Sequence, residues 1–141
     1  MNLEQHNKYK NIKTVINGIP FSSLMEAKVY QKLLNLQEEG QISDLILQPP
    51  FVLQEAFNEK YYDGKKERIF EGKIREVKYI SDFEFKYKNK TFVLEVKGMM
   101  DQKYPIKKKL FLKKYGQDYI FMEIRRVREL ENIINIMDNL L

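Results

Sequence analysis

At 141 residues, 43% of them hydrophobic and 13% aromatic, the chain has the length and composition of one globular domain with its own core, not of a disordered segment. It contains no cysteine and one histidine, His6 in a polar stretch, which excludes disulfides, thiolate zinc sites and a cysteine nucleophile, and argues against Ser-His catalysis. The balance of 25 Lys and Arg against 20 Asp and Glu leaves +5, a modest charge of the sign a nucleic-acid partner requires.

Residues 1–13 are polar and lysine-bearing, and are expected to be flexible. They carry no signal-peptide core, and no apolar run in the chain approaches membrane-spanning length, so a cytoplasmic protein without a membrane partner is expected. Asn17-Gly18 marks a turn. Ser23, with Glu26 three residues on, spells a capping box and predicts a helix over 23–39 that stops at Gly40. Projected at about 100° per residue, Val29, Tyr30, Leu33, Leu34 and Leu36 form its apolar face, with Glu26 in the middle. A carboxylate on that face either folds back onto the Ser23 amide as a cap or needs a partner, because burying it alone costs several kcal/mol.

Asp44–Gln48 and Phe51–Gln54 read as short strands on either side of Pro49-Pro50, which together make a broken or edge strand. The charged residues 58–73, with a turn at Asp63-Gly64, read as an insertion, either a mobile loop or an exposed hairpin. Residues 77–97 read as a β-hairpin. If its loop is Lys88-Asn89, then Tyr87 faces Lys90, Phe85 faces Phe92, Asp82 faces Glu95 and Ile80 faces Lys97. Glu95, Lys97 and Asp82 would share one face. Two carboxylates ~5 Å apart repel by roughly 3 kcal/mol at an effective dielectric of ~20, which a divalent metal would relieve. A loop of another length would slip the register and leave both acids as ordinary surface residues.

A connection through residues 98–104 leads to a helix over 105–115 with Pro105 as its first residue, Ile106, Leu110, Phe111 and Tyr115 for packing, and Gly116 at its end. It carries Lys107, Lys108, Lys109, Lys113 and Lys114, which make it either a phosphate-binding face or a solvated one with apolar stems. Residues 118–124 read as a buried strand. Residues 129–141 read as a closing helix using Leu130, Ile133, Ile134, Met137 and Leu141.

In this order the chain resembles the PD-(D/E)xK nuclease superfamily of restriction endonucleases and Holliday-junction resolvases. The resemblance rests on Glu26 in Ser-Ser-Leu-Met-Glu-Ala-Lys-Val-Tyr, Asp82 in Tyr-Ile-Ser-Asp-Phe, Glu95-Val96-Lys97-Gly98 and the basic helix that follows. It is closer to a phage and prophage family of small proteins of this kind that share the helix glutamate, a Leu-Gln-Pro-Pro-like segment and the Tyr-Ile-x-Asp-Phe strand. Ser81 stands where the superfamily pattern has proline.

The resemblance implies one restriction-endonuclease-like α/β domain over 1–141: an α-β-β-β-α-β core, a central mixed sheet flanked by helices, and an extra C-terminal helix. It also implies a Mg²⁺-dependent DNA endonuclease, with Mn²⁺ as a substitute metal and no organic cofactor. Glu26, Asp82, Glu95 and Lys97 would be catalytic. Asp82, Glu95 and the Val96 carbonyl would hold the metal, with Glu26 direct or through water, because Mg²⁺ prefers oxygen ligands and keeps several waters. Lys97 would position the attacking water and stabilise transition-state charge. Lys107 or Lys109 would hold the scissile phosphate within a DNA-binding set that includes Lys108, Lys113 and Lys114. Branched DNA in recombination or replication is the implied substrate, a homodimer the implied assembly, and a bacterial host's cytoplasm the place if the chain is phage-encoded. The alternatives are a duplex-specific nuclease of restriction or transposase type and a non-catalytic nucleic-acid-binding module of the same fold.

Overall fold

A computed structural model describes residues 14–98 and 101–141, so the expectations for residues 1–13, His6 among them, lie outside the described residues. Asn17 and Gly18, at φ 52° and 76°, turn the chain between strands β1 (Thr14–Ile16) and β2 (Ile19–Phe21). Both conformations are left-handed, and an Asn-Gly pair adopts them at little cost. Helix α1 (Leu24–Glu38) begins where Ser23 Oγ accepts the Glu26 N–H at 3.1 Å, and it ends before Gly40, at φ 77°. Val29, Tyr30, Leu33 and Leu36 are buried along it, as its periodicity predicts.

From Ser43 to Tyr87 the chain folds into one long antiparallel ribbon. Strands β3 (Ser43–Leu47), β4 (Pro50–Gln54) and β5 (Phe57–Asp63) run out, and β6 (Arg68–Ile74), β7 (Val77–Ile80) and β8 (Phe83–Tyr87) return beside them. Leu47 faces Phe83 and Pro50 faces Ile80, so the register passes unchanged around a bend at Gln48-Pro49 and Ser81-Asp82. The Gln48 N–H donates to the Asp82 carbonyl at 2.9 Å and the Ser81 N–H to the Pro49 carbonyl at 3.2 Å. A second interruption, at residues 55–56 and 75–76, separates the β4–β7 pair from an exposed hairpin made by β5 and β6. Of the two readings of residues 58–73, the structure takes the exposed hairpin.

Lys88 and Asn89, at φ 47° and 63°, form the two-residue turn into β9 (Lys90–Val96), and Tyr87 faces Lys90, Phe85 faces Phe92 and Phe83 faces Leu94. The expected hairpin is therefore correct in register but too long. β7 bends away to pair with β4, so Ile80 faces Pro50 rather than Lys97, and Asp82 and Glu95 lie just beyond the β8–β9 ladder. The cause is the Pro49-Pro50 bend, which the partner strand must follow to keep its hydrogen bonds.

Helix α2 (Tyr104–Tyr115) crosses to β10 (Ile120–Ile124), which runs parallel to β9. The β10 strand starts two residues later than expected because the Tyr115 carbonyl accepts the Asp118 and Tyr119 N–H groups in a turn. The closing helix is also shorter than expected: a 3₁₀ turn over Val127–Leu130 precedes α3 (Ile133–Leu140). Glu129 turns back to accept the Arg125 and Arg126 N–H groups at 3.2 and 2.8 Å, which ties it to the turn. Leu130, Ile133 and Met137 are buried, whereas Leu141, expected to pack, is exposed.

The central sheet has the order β10-β9-β8-β3 and is mixed, with only the β9–β10 pair parallel. Alternation along β9 divides the core between its faces. Phe92, Leu94 and Val96 join α1 and α3 in one cluster, and Val93 joins Phe51, Tyr79, Tyr104 and Phe111 in the other. The result is a mixed α/β domain in which α1, β3, β8, β9, α2 and β10 follow in α-β-β-β-α-β order, with the ribbon arm inserted and α3 added at the end. Among the described residues, no helix is long and apolar enough to cross a membrane.

Candidate active site

The bend at Ser81-Asp82 opens a fork between the ribbon and β9, and the predicted acids gather there. β9 runs on past the start of β8, which leaves the Val96 N–H without a backbone partner on that side. Asp82 Oδ2 accepts it at 2.6 Å. Ser81 is fully buried, and its hydroxyl donates to the Leu94 carbonyl at 2.9 Å, which ties the fork to β9 at a position where a proline would offer no hydrogen bond.

Glu26 reaches the fork from α1. Its carboxylate accepts the Ser22 hydroxyl while its amide is capped by Ser23. It therefore does not fold back onto the Ser23 amide, and it lines a hollow of about 220 Å³ with Asp82, Gln48 and Phe21. Burial, the Glu95 charge and the Glu26 charge push the Asp82 carboxyl up to about 8, although the Val96 N–H favours its ionised form.

Glu95 is buried on the α2 face of the sheet, where Tyr79 donates to its Oε2 at 2.6 Å. Burial raises the Glu95 carboxyl, with the Tyr79 hydroxyl and the Lys97 charge opposing. Burial and the Glu95 charge together raise the Tyr79 hydroxyl. Lys97 lies two residues along the same face, with its Nζ 4.0 Å from the centroid of the Tyr104 ring. Glu95, Lys97, Tyr79, Tyr104 and Lys107 line a second hollow of about 190 Å³. The four predicted residues are thus brought to one fork but divided between two hollows, Glu26 and Asp82 lining one and Glu95 and Lys97 the other. Among the described residues, no three acidic or histidine side chains stand close enough as placed to hold a metal ion.

Glu123 is a residue that sequence reasoning missed. It faces Glu95 across the parallel β9–β10 pair, and its charge contributes to raising Glu95. Tyr104 and Lys108 hydrogen-bond Glu123 Oε1, and Arg125 hydrogen-bonds Oε2. These partners outweigh its burial and keep its carboxyl below the usual range. Alternation in Phe121-Met122-Glu123 was a signal for it, and the four-residue spacing of Ser22 and Glu26 was one for Ser22; Tyr79 had none, since its partner lies on another strand.

The basic helix is turned differently from expectation. Tyr104 and Phe111 are its buried residues, whereas Ile106 and Leu110, expected to pack, are 64% and 46% exposed. The two aromatic rings fill the space over β9 and β10, and this fixes the helix rotation. Lys108 is thereby directed to Glu123 at 3.3 Å, and Lys114 to the Val52 carbonyl at 2.8 Å. Lys107 lines the Glu95 hollow, while Lys109 and Lys113 point to solvent.

Fold and site together define a small mixed α/β domain with acidic side chains converging where a strand pair forks from the central sheet. The chain belongs to the family described as protein of unknown function (DUF1064), whose model matches residues 6–130. That span contains Glu26, Asp82, Glu95, Lys97 and all of α2. No curated protein matches the chain.

Proposed function

We propose that the protein is a Mg²⁺-dependent endonuclease that hydrolyses DNA phosphodiester bonds, with branched DNA as its substrate and the cytoplasm as its place of action. The observation that carries this reading is the crowding of Glu26, Asp82 and Glu95 around one fork, where burial and mutual repulsion raise the Asp82 carboxyl. Such a cluster is unfavourable alone and favourable around a hard cation. Asp82, Glu95 and the Val96 carbonyl would hold the ion, with Glu26 direct or through water; Mn²⁺ would serve in its place. When bound it would neutralise phosphate charge and acidify a water. Tyr79 orients Glu95, the Val96 N–H orients Asp82, and Lys97 offers a cation to charge developing on the phosphate. Symmetric cutting of a junction needs two such sites, which favours a homodimer.

A second reading is favoured by one specific observation: Glu95 and Asp82 are each already engaged by a hydrogen bond from the chain itself, at 2.6 Å. In that case the domain binds nucleic acid without turnover. Cleavage of four-way junction, flap, single-stranded and linear duplex DNA, with Mg²⁺ or with chelator, decides between the readings. Metal-dependent cutting that prefers the junction is expected. Cutting of the linear duplex alone would indicate a restriction-type or transposase-type enzyme, and binding without any cutting would support the non-catalytic module.

A further inference from the structure

We infer that the β5–β6 hairpin is an arm that grips duplex DNA beside the candidate site, with Lys73, Arg75 and Lys78 at its base holding the phosphate backbone. This deepens the nucleic-acid reading of the same site and rests on it.

The arm is an extension of the ribbon that forms the fork. Gln54 faces Val77 and Phe57 faces Ile74, so the register resumes unchanged across the two-residue interruptions at 55–56 and 75–76, and the hairpin joins β4 and β7 through two short connections. Its seven-residue strands span roughly 20 Å at ~3.3 Å per residue. A two-stranded ribbon of that size fits the ~12 Å major groove of B-DNA.

Its surface is charged, with Lys60, Lys65, Lys66, Arg68 and Lys73 against Glu59, Asp63, Glu67 and Glu71, and apolar side chains stand exposed among them. Tyr62 and Ile69 face each other on one side and are 63% and 58% exposed, while Tyr61 and Phe70 pack on the other with ring centroids 5.1 Å apart. At its base, Ala56, Lys73, Arg75, Glu76 and Lys78 line a hollow of about 430 Å³. Lys78 also lines the hollow that holds Glu95, Lys97 and Lys107. The two hollows therefore share a wall, and a cationic path leads from the arm to the acids. A polyanion lying along it would pass the arm before reaching the fork. Among the described residues, Lys78 pairs with Glu76 at 3.3 Å, the one carboxylate in the base hollow.

The test measures binding in chelator, where no cutting occurs, by fluorescence anisotropy on a duplex of about 20 base pairs and on one of its single strands. Lys73→Gln with Arg75→Gln should weaken duplex binding at least about tenfold and lower the slope of log affinity against log salt by close to two, at ~0.9 for each phosphate no longer neutralised. Lys28→Gln, on α1, should change neither. Tyr62→Ala with Ile69→Ala should weaken binding to the duplex more than to the single strand. Because these side chains are exposed, each variant should keep the wild-type circular dichroism and melting temperature.

Unchanged duplex affinity and salt slope in Lys73→Gln with Arg75→Gln would overturn the inference, even if the protein cuts DNA with Mg²⁺. An equal or larger loss on the single strand would also overturn it, by making the arm a strand-stacking surface. A reduced slope on the duplex in a protein that never cuts would support the arm while refuting the nuclease reading.

Discussion

Tyr79 donates its hydroxyl hydrogen to Glu95 Oε2 at 2.6 Å, although the two residues lie on strands that do not pair with each other. Tyr79 is on the ribbon and Glu95 on the central sheet, so this bond fixes the carboxylate across the mouth of the fork. Tyr79→Phe keeps the ring in its cluster with Phe51, Tyr104 and Phe111 and removes only the bond. It should cost about 1–3 kcal/mol in urea unfolding, and should raise the Glu95 carboxyl further, as followed by carboxyl-carbon NMR. A Glu95 titration unmoved by the substitution would mean that burial and the neighbouring charges set it without the hydroxyl.

Asp82 reverses the usual pH dependence of a carboxyl. Its folded value of about 8 lies above the unfolded ~3.9, so between those values the folded chain holds a proton that the unfolded chain has released. Its contribution to stability is complete below about pH 4 and declines as pH rises toward 8. Asp82→Asn mimics the protonated form and removes the decline. In chelator, the stability of the variant relative to wild type should increase between about pH 5 and pH 8.5 by on the order of a few kcal/mol. Adding Mg²⁺ should narrow that gap at the higher pH. A constant gap across the range would count against the raised value.

Asp82→Asn and Lys97→Ala should abolish metal-dependent cutting, by about a hundredfold or more, while leaving DNA affinity in chelator nearly unchanged. Single-turnover cleavage and anisotropy on the same DNA check this. Affinity that falls in step with activity would assign these residues to the fold or to DNA contact.

Among the α2 lysines, Lys107 should matter more than Lys109. Lys107 lines the hollow of Glu95 and Lys97, whereas Lys109 is directed away from it. On the proposed nuclease reading, Lys107→Ala should reduce single-turnover cleavage by at least about tenfold, because it would remove a cation beside the Glu95 hollow, and Lys109→Ala should not. Lys108→Ala should instead destabilise the fold modestly, because it removes a partner of Glu123. Equal effects of Lys107→Ala and Lys109→Ala would return the helix to a general electrostatic role.

The features legible in the chain alone are those that short-range chemistry dictates. The Asn17-Gly18 and Lys88-Asn89 turns, the Ser23 cap, the stop at Gly40 and the inward position of Glu26 all depend on neighbours within four residues. The register of β8 on β9 follows from its two-residue turn in the same way. The tertiary structure alone decided where that pairing ends: β7 follows β4 around Pro49-Pro50, and so Asp82 meets the Val96 N–H instead of facing Glu95 in a ladder. It also decided which face of α2 is inward, because Tyr104 and Phe111 bury rings against β9 and β10 while Ile106 remains outside. The physical reason is the same in each case. Strand partners and ring packing are competitions between segments far apart in the chain, and alternation or helical period shows which residues share a face but not what that face meets.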